Sequence, residues 1–320
     1  MLSLKEGTKI AKFVGGDMDG KYLYIKEVNT DKKEKKVRQP KDPFAIIGQD
    51  FFESKNKKLK GSEVKILSDA LKAGEIKHDF KDNDKQRREM EDLFERGQDE
   101  IKRRGNRREI KLYDGKLQPI PSEKHSLVTA GAPSGAGKSH SLAQYIKEYI
   151  KQKPKANIYL FSRVNEDPVL DQIKKIKRVP VDETFLPEEG EAPISASDFG
   201  DEPLIVFDDC DTIPDDTVKK AVLKLRDDCI EVIRHSGGRI CAAVHQFQGY
   251  KNTRILLNET TDFIFFPGSG SKYGIEQTLK RYCGMDAKNI KKIMNLPSRW
   301  VWFKRNCPQC IIYETGAYLL

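Results

Sequence analysis

The segment Gly131-Ala132-Pro133-Ser134-Gly135-Ala136-Gly137-Lys138-Ser139 carries the strongest chemical signal in the chain. It follows an apolar run, Ser126 to Ala130, and leads directly into a helical pattern. Glycines at this spacing let the backbone curl so that successive N–H groups and a helix amino terminus face a polyphosphate. This is a Walker A loop beginning with Ala132, and its binding set runs Ala132, Pro133, Ser134, Gly135, Ala136, Gly137, Lys138, Ser139 and His140. Lys138 is the residue that reaches the β- and γ-phosphates of ATP, and Ser139 supplies a hydroxyl to Mg²⁺. The alternative is a glycine-rich turn without a ligand. Agreement of the strand before, the loop and the helix after argues against it.

A second acidic signal lies downstream, where the apolar run Leu204-Ile205-Val206-Phe207 ends in Asp208-Asp209. In a parallel α/β sheet the carboxyl ends of strands line the ligand crevice, which brings such acids beside the phosphate loop. Asp208 is assigned to Mg²⁺ and Asp209 to orienting or deprotonating the attacking water, with Asp211 able to take either role. A further strand, Arg239 to Val244, ends in His245-Gln246. Gln246 both donates and accepts, which suits sensing of the γ-phosphate; His245 is its rival, and a histidine with a structural role stands equally open. Arg254 opens a short apolar helix and is the candidate to neutralise charge on the transferring phosphoryl group, an ion pair with Glu259 being the alternative.

These residues require a scaffold, and the patterning supplies one. From residue 126 onward, short apolar runs alternate with helical stretches at Lys138–Lys151, Asp216–His235, Gly274–Tyr282 and Ala287–Met294, followed by two strands at Arg299–Lys304 and Cys310–Glu314. That alternation predicts an α/β fold, a mainly parallel sheet covered by helices. The first 125 residues differ. They hold 31 basic against 24 acidic residues, compared with 27 against 25 in the remainder. They read as a smaller basic α+β region: a hairpin over 7–28, a lysine-rich loop at 30–41, an apolar patch at 44–52 and a charged helix over 84–104. A proline-bearing link places the boundary between a region 1–116 and a P-loop domain 117–320. Basic surface suits a polyanion, although mixed charge runs also serve simply as a solvated face. At 38% hydrophobic and 33% charged residues, the chain shows no apolar run near the ~18 residues of a membrane helix. Neither a leader pattern nor an oxidising compartment is indicated, so the protein is expected to be intracellular. Cys307 and Cys310 read as reduced thiols rather than zinc ligands.

Several strings together support a narrower reading: Ala130 to Ser139, Leu204 to Asp209, Val244-His245-Gln246, Tyr250 to Glu259 and Leu296-Pro297-Ser298-Arg299-Trp300-Val301. In these the chain resembles the vaccinia-type genome-packaging ATPases of large DNA viruses and their virophage relatives, within the FtsK/HerA superfamily of ring-shaped DNA translocases. The resemblance covers roughly residues 117 to 320. It implies a RecA/FtsK-HerA-like P-loop NTPase that hydrolyses ATP with Mg²⁺ and moves double-stranded DNA into a preformed capsid. It also implies a homo-oligomeric ring, pentameric or hexameric, docked on a capsid component at the virus assembly site of the infected cell. Arg254, or another arginine, would then act across a subunit interface, with Arg299 the second choice. Asp209 departs from the pattern, since many relatives carry Glu there. Two other classes fit the phosphate loop alone: a P-loop nucleotide or nucleic-acid kinase, which lacks its arginine-rich lid between Phe266 and Gly284, and a slow ATP-dependent DNA-binding switch. No Leu-Ser-Gly-Gly signature precedes Asp208, which disfavours an ABC-type ATPase.

Overall fold

The computed structural model describes residues 1–26, 51–53, 58–80, 83–105, 108–122, 126–247, 250–306 and 308–320. The lysine-rich loop, most of the apolar patch and Cys307 lie outside the described residues. Two compact units emerge: residues 2–26 with 112–320, and residues 27–111.

The chain opens with β1 (Leu2–Ser3), β2 (Thr8–Val14) and β3 (Tyr22–Ile25). The unit of residues 27–111 contains α1 (Gly61–Ala73), α2 (Asp84–Gly105) and a short strand, β4 (Glu109–Lys111). Its small core gathers Phe52, Leu59, Leu67, Leu71 and Met90, with Leu93 and Phe94 packed against them. The thin apolar stripe of α2 therefore covers one side only, against α1. α1 is not among the expected elements, although Val64, Leu67 and Leu71 at helical spacing and Gly74 just past its end carry a helical signal. Glu63 caps it by accepting from the Lys60 backbone N–H, a role that polar composition alone does not reveal.

β5 (Lys116–Pro119) returns to pair antiparallel with β2, completing a four-stranded sheet in the order β1-β3-β2-β5. The amino-terminal hairpin thus groups with residues 112–320, and the expected division between residues 116 and 117 falls inside β5. Chain separation misled the boundary: a long-range antiparallel pairing is invisible to local composition.

The rest of this unit is built on β6 (Leu127–Gly131), α3 (Lys138–Gln152), β7 (Ile158–Ser162), β8 (Ile176–Val179), β9 (Leu204–Asp208), α4 (Asp216–Val232), β10 (Arg239–Val244), α5 (Tyr250–Glu259) and β11 (Asp262–Phe265). There follow α6 (Lys272–Arg281), α7 (Ala287–Met294), β12 (Val301–Lys304), β13 (Cys310–Tyr313) and β14 (Gly316–Leu319). The strands lie in the order β8-β7-β9-β10-β6-β11-β12-β13-β14. Those from β8 to β11 run parallel, and β12 to β14 continue antiparallel. β6, β9, β10 and β11 are buried along their whole length, as unbroken apolar runs should be when both sheet faces are covered. One face carries an aromatic stack in which Phe263 lies between Phe265 and Phe303.

Register fixes the site. Gly131 sits opposite Val244 of β10 on one side and Phe265 of β11 on the other, while Asp208 sits opposite Ala243. Gly131 also abuts the Phe247 ring, where an added Cβ would lie 2.3 Å from the ring carbons. Gly131→Ala should therefore destabilise the fold by about 1–3 kcal/mol through overpacking. Urea unfolding checks this; an unchanged midpoint would show that Phe247 moves aside freely.

Candidate functional site

The phosphate loop leaves β6 at Gly131 and enters α3 at Lys138. Its turn depends on Gly135 at φ 79° and Gly137 at φ 111°, both left-handed conformations that a Cβ disfavours. Ala132 N–H donates to the Val244 carbonyl at 3.1 Å, anchoring the loop to β10. Pro133, Ser134, Gly135 and His140 are exposed, Ser139 is half-buried, and the Ala132, Ala136 and Lys138 side chains are buried.

Lys138 Nζ donates to the Ala132 carbonyl at 2.7 Å and stands 3.4 Å from Asp209 Oδ1. Asp209 is placed by the strand order: β10 lies between β6 and β9, so the residues after β10 face the loop from the adjacent strand and those after β9 from the next strand over. Asp209 itself turns left-handed at φ 50°, ψ 28°, and the turn is held by Thr212, whose N–H and Oγ1 both donate to the Asp209 carbonyl. A non-glycine residue in that region carries strain of about 1–2 kcal/mol. His245, the first residue past β10, brings Nδ1 to 3.1 Å from Asp209 Oδ1 and Nε2 to 3.2 Å from Ser134 Oγ. The Asp209–His245 approach lacks hydrogen-bond alignment, leaving both atoms without a hydrogen-bond partner, as is Asp211 Oδ1. Ligand atoms of Asp209, Asp211 and His245 lie within 4.8 Å of one another.

Asp208 is buried, its Oδ2 accepting from Ser162 Oγ at 3.0 Å. Burial, reinforced by the neighbouring Asp209 charge, pushes its carboxyl from 3.8 up to about 6. Asp211 is raised as well, for the same two causes in the same order. Buried oxygen donors without partners are a suitable set for Mg²⁺, a hard cation that takes carboxylates and water.

The loop, Lys138, Asp208 and Asp209 are thus brought together. Gln246 is exposed and makes no hydrogen bond among the described residues, while His245 occupies the position facing Asp209. Arg254 lies exposed on α5, with no ion pair to Glu259 among the described residues. Arg299 lies in its own chain's loop: Nε donates to the Ala136 carbonyl at 3.3 Å and Nη2 to the Gly135 carbonyl at 3.4 Å. Ser162 is not among the residues that the motifs mark. Its signal is a hydroxyl closing a buried strand in register with Asp208.

Fold and phosphate loop together define an α/β P-loop NTPase fold. No family model matches the sequence. Over 215 residues the chain is 34% identical to the uncharacterized protein V3 of Sputnik virophage, covering 66% of this chain and 84% of that protein. The chain belongs to the family of this virophage protein. Among solved structures, it is similar to the conjugation coupling protein TcpA of pCW3, with TM-score 0.42, 13% identity and 65% of each chain covered. It is also similar to the genome packaging NTPase B204 of Sulfolobus turreted icosahedral virus 2, with TM-score 0.38, 13% identity, and 60% of this chain and 97% of that one covered. For the type VII secretion ATPase EccC of Thermomonospora curvata the TM-score is 0.44 at 14% identity, with 66% and 29% covered. The chain spans less than two thirds of the coupling protein and of EccC.

The raised Asp208 carboxyl has a thermodynamic sign. The folded chain holds this proton more tightly than the unfolded chain, so burying the group costs nothing below pH 3.8 and progressively more up to about 6. Asp208→Asn should stabilise the nucleotide-free and metal-free protein at pH 8 by on the order of 1–3 kcal/mol and leave it unchanged near pH 4. Equal shifts at both pH values in urea melts would contradict this burial effect.

Proposed function

We propose that the protein is a Mg²⁺-dependent ATPase that acts as a DNA translocase, packaging viral double-stranded DNA into a capsid as a homo-oligomeric ring. The observation that carries the ATPase reading is the convergence of Lys138, Asp209 and His245 on the mouth of the phosphate loop. Kinship with a virophage protein supports a virus-borne role in the infected cell. The Thr253-Arg254 to Asn258-Glu259 segment and the Ser298-Arg299-Trp300 tail support the narrower, vaccinia-type packaging reading. Among the described residues no helix is long and apolar enough to cross a membrane.

In this mechanism the loop N–H groups and the amino end of α3 bind the phosphates. Lys138 leaves the Ala132 carbonyl to neutralise the β- and γ-phosphates. Ser139 and Asp208, with Asp209 and Asp211 beside them, would hold Mg²⁺, which when bound neutralises phosphate charge. Asp209 accepts a hydrogen bond from the attacking water and orients it. His245, 3.1 Å from Asp209 Oδ1 and 3.2 Å from Ser134 Oγ, is offered to the γ-phosphate from the β10 side, and that position favours it over the exposed Gln246 for the sensing role. Arg254, exposed on α5, is the arginine offered to a neighbouring subunit. Arg299, engaged with its own loop, is the weaker choice for that task. The packaging motor domain is assigned to residues 2–26 and 112–320, and residues 27–111 to a separate accessory unit.

Lys138→Ala should abolish ATP hydrolysis, and Asp209→Asn should retain ATP binding while slowing turnover by about 10²–10⁴-fold. His245→Ala should lower turnover by more than Gln246→Ala does. Steady-state hydrolysis with and without duplex DNA measures all four, and wild-type turnover in Asp209→Asn would remove its assigned role. In mixed assemblies, Arg254→Ala subunits should depress activity beyond their mole fraction; a strictly proportional loss would exclude action across an interface.

A further inference from the structure

The phosphate loop has a back as well as a front. In a planar trans peptide the C=O and the N–H point in opposite directions, so a group that holds successive carbonyls on one side sets their N–H groups toward the other. Arg299 does this to two peptides in a row: its Nε donates to the Ala136 carbonyl at 3.3 Å and its Nη2 to the Gly135 carbonyl at 3.4 Å. The N–H groups of those same two peptides belong to Gly137 and Ala136. Inside the loop the Ala136 N–H makes a long bond, 3.4 Å, to the Pro133 carbonyl, which an anionic phosphate oxygen can replace at shorter range. The guanidinium is seated against the loop, since a Cβ added to Gly137 would lie 3.6 Å from Nη2 and 3.7 Å from Cζ. The root of the side chain is fixed as well. The Arg299 backbone N–H donates to Glu314 Oε2 at 3.3 Å, the Glu314 N–H donates to Ser298 Oγ at 3.1 Å, and Ser298 Oγ donates to the Trp300 carbonyl at 2.6 Å. These bonds tie the residues before β12 to the turn after β13, and the Glu314 carbonyl accepts from the Leu117 N–H of β5 at 2.8 Å.

We propose that Arg299 is a positioning residue for the phosphate loop of its own chain: from behind the loop it holds the Gly135 and Ala136 carbonyls, so that the Ala136 and Gly137 N–H groups stand ready for the phosphates, and it touches no phosphate itself. The inference rests on the ATPase reading and adds to it the group that aims the loop. Arginine suits the task because Nε and Nη2 form one edge of a planar fork that meets two acceptors together, which an ammonium cannot do. Its charge at the carbonyl ends also polarises the two peptides and strengthens their N–H groups as donors.

The test uses Arg299→Lys, which keeps the charge and loses the fork, and Arg299→Gln, which loses both. By calorimetry, ATP and inorganic tripolyphosphate should each bind about tenfold more weakly to either variant. In steady-state hydrolysis the loss should appear in KM, with kcat within about twofold of wild type, as for an interaction made equally in the ground and transition states. Urea midpoints should stay at the wild-type value. A charge that met the phosphates directly would survive in Arg299→Lys, so wild-type affinity in that variant overturns the positioning role. A fall in kcat at unchanged KM overturns it too, because an arginine acting on the transition state, in its own subunit or a neighbour's, behaves that way. So does an affinity loss seen only together with a lowered urea midpoint, and so do unchanged constants in both variants. Wild-type protein that binds neither ligand, with Lys138→Ala indistinguishable from it, defeats the phosphate-loop reading itself and this inference with it.

Discussion

The site depends on one constraint, the parallel register of β9, β10 and β6. Each strand ends at nearly the same level, with Asp208 opposite Ala243 and Gly131 opposite Val244. A slip of one residue in either pairing would turn Asp208 to the other face and carry Asp209 away from Lys138. Two backbone bonds past the strand ends extend the same registration into the loops: Ala132 to Val244 and Asp209 to Ala243. The chemistry at the strand ends is thus set by pairings whose own residues are almost wholly apolar and buried, so packing of the sheet core and alignment of the charged groups are one problem.

The charged groups in turn sit where burial is expensive. Lys138 and Asp208 are 6% and 4% exposed, and Asp208 has a hydroxyl partner on β7. Three carboxylates within four residues of chain repel one another, and Lys138 is the cation that faces them. A cation bound beside these carboxylates would relieve their mutual repulsion. The group differs from the Asp262 cluster on β11, where Lys304 and the Trp302 N–H satisfy one carboxylate oxygen completely and leave nothing to recruit.

The phosphate loop, the acidic strand end and the run of parallel strands were legible because each is a local string: glycine spacing, an unbroken apolar run, an acid at its end. α7 begins and ends where its periodicity places it. What escaped reading was set by distant partners. β5 pairs with β2 across about a hundred residues, and β8 and β14 are short strands whose sequences carry little alternation. At the end of β10 the two neighbours His245 and Gln246 are equally polar, and only the turn after the strand decides which faces Asp209. Arg299 illustrates the same limit. Its sequence context marks it as notable, but its carbonyl partners lie more than 160 residues away.

The left-handed backbone at Asp209 bears on which acids this position admits. Aspartate and asparagine tolerate that conformation because their short side chains bond locally, whereas longer side chains enter it rarely. Glutamate does enter it in this chain, at Glu202 with φ 48°, so its cost at position 209 would lie mainly in carrying the carboxylate, one methylene further out, past the point where Lys138 and His245 meet it. The choice of the shorter acid here is thus coupled to the shape of the chain immediately after β9. An exchange of Asp for Glu at this point would therefore shift the carboxylate relative to Lys138 unless the Cys210–Thr212 turn moved with it.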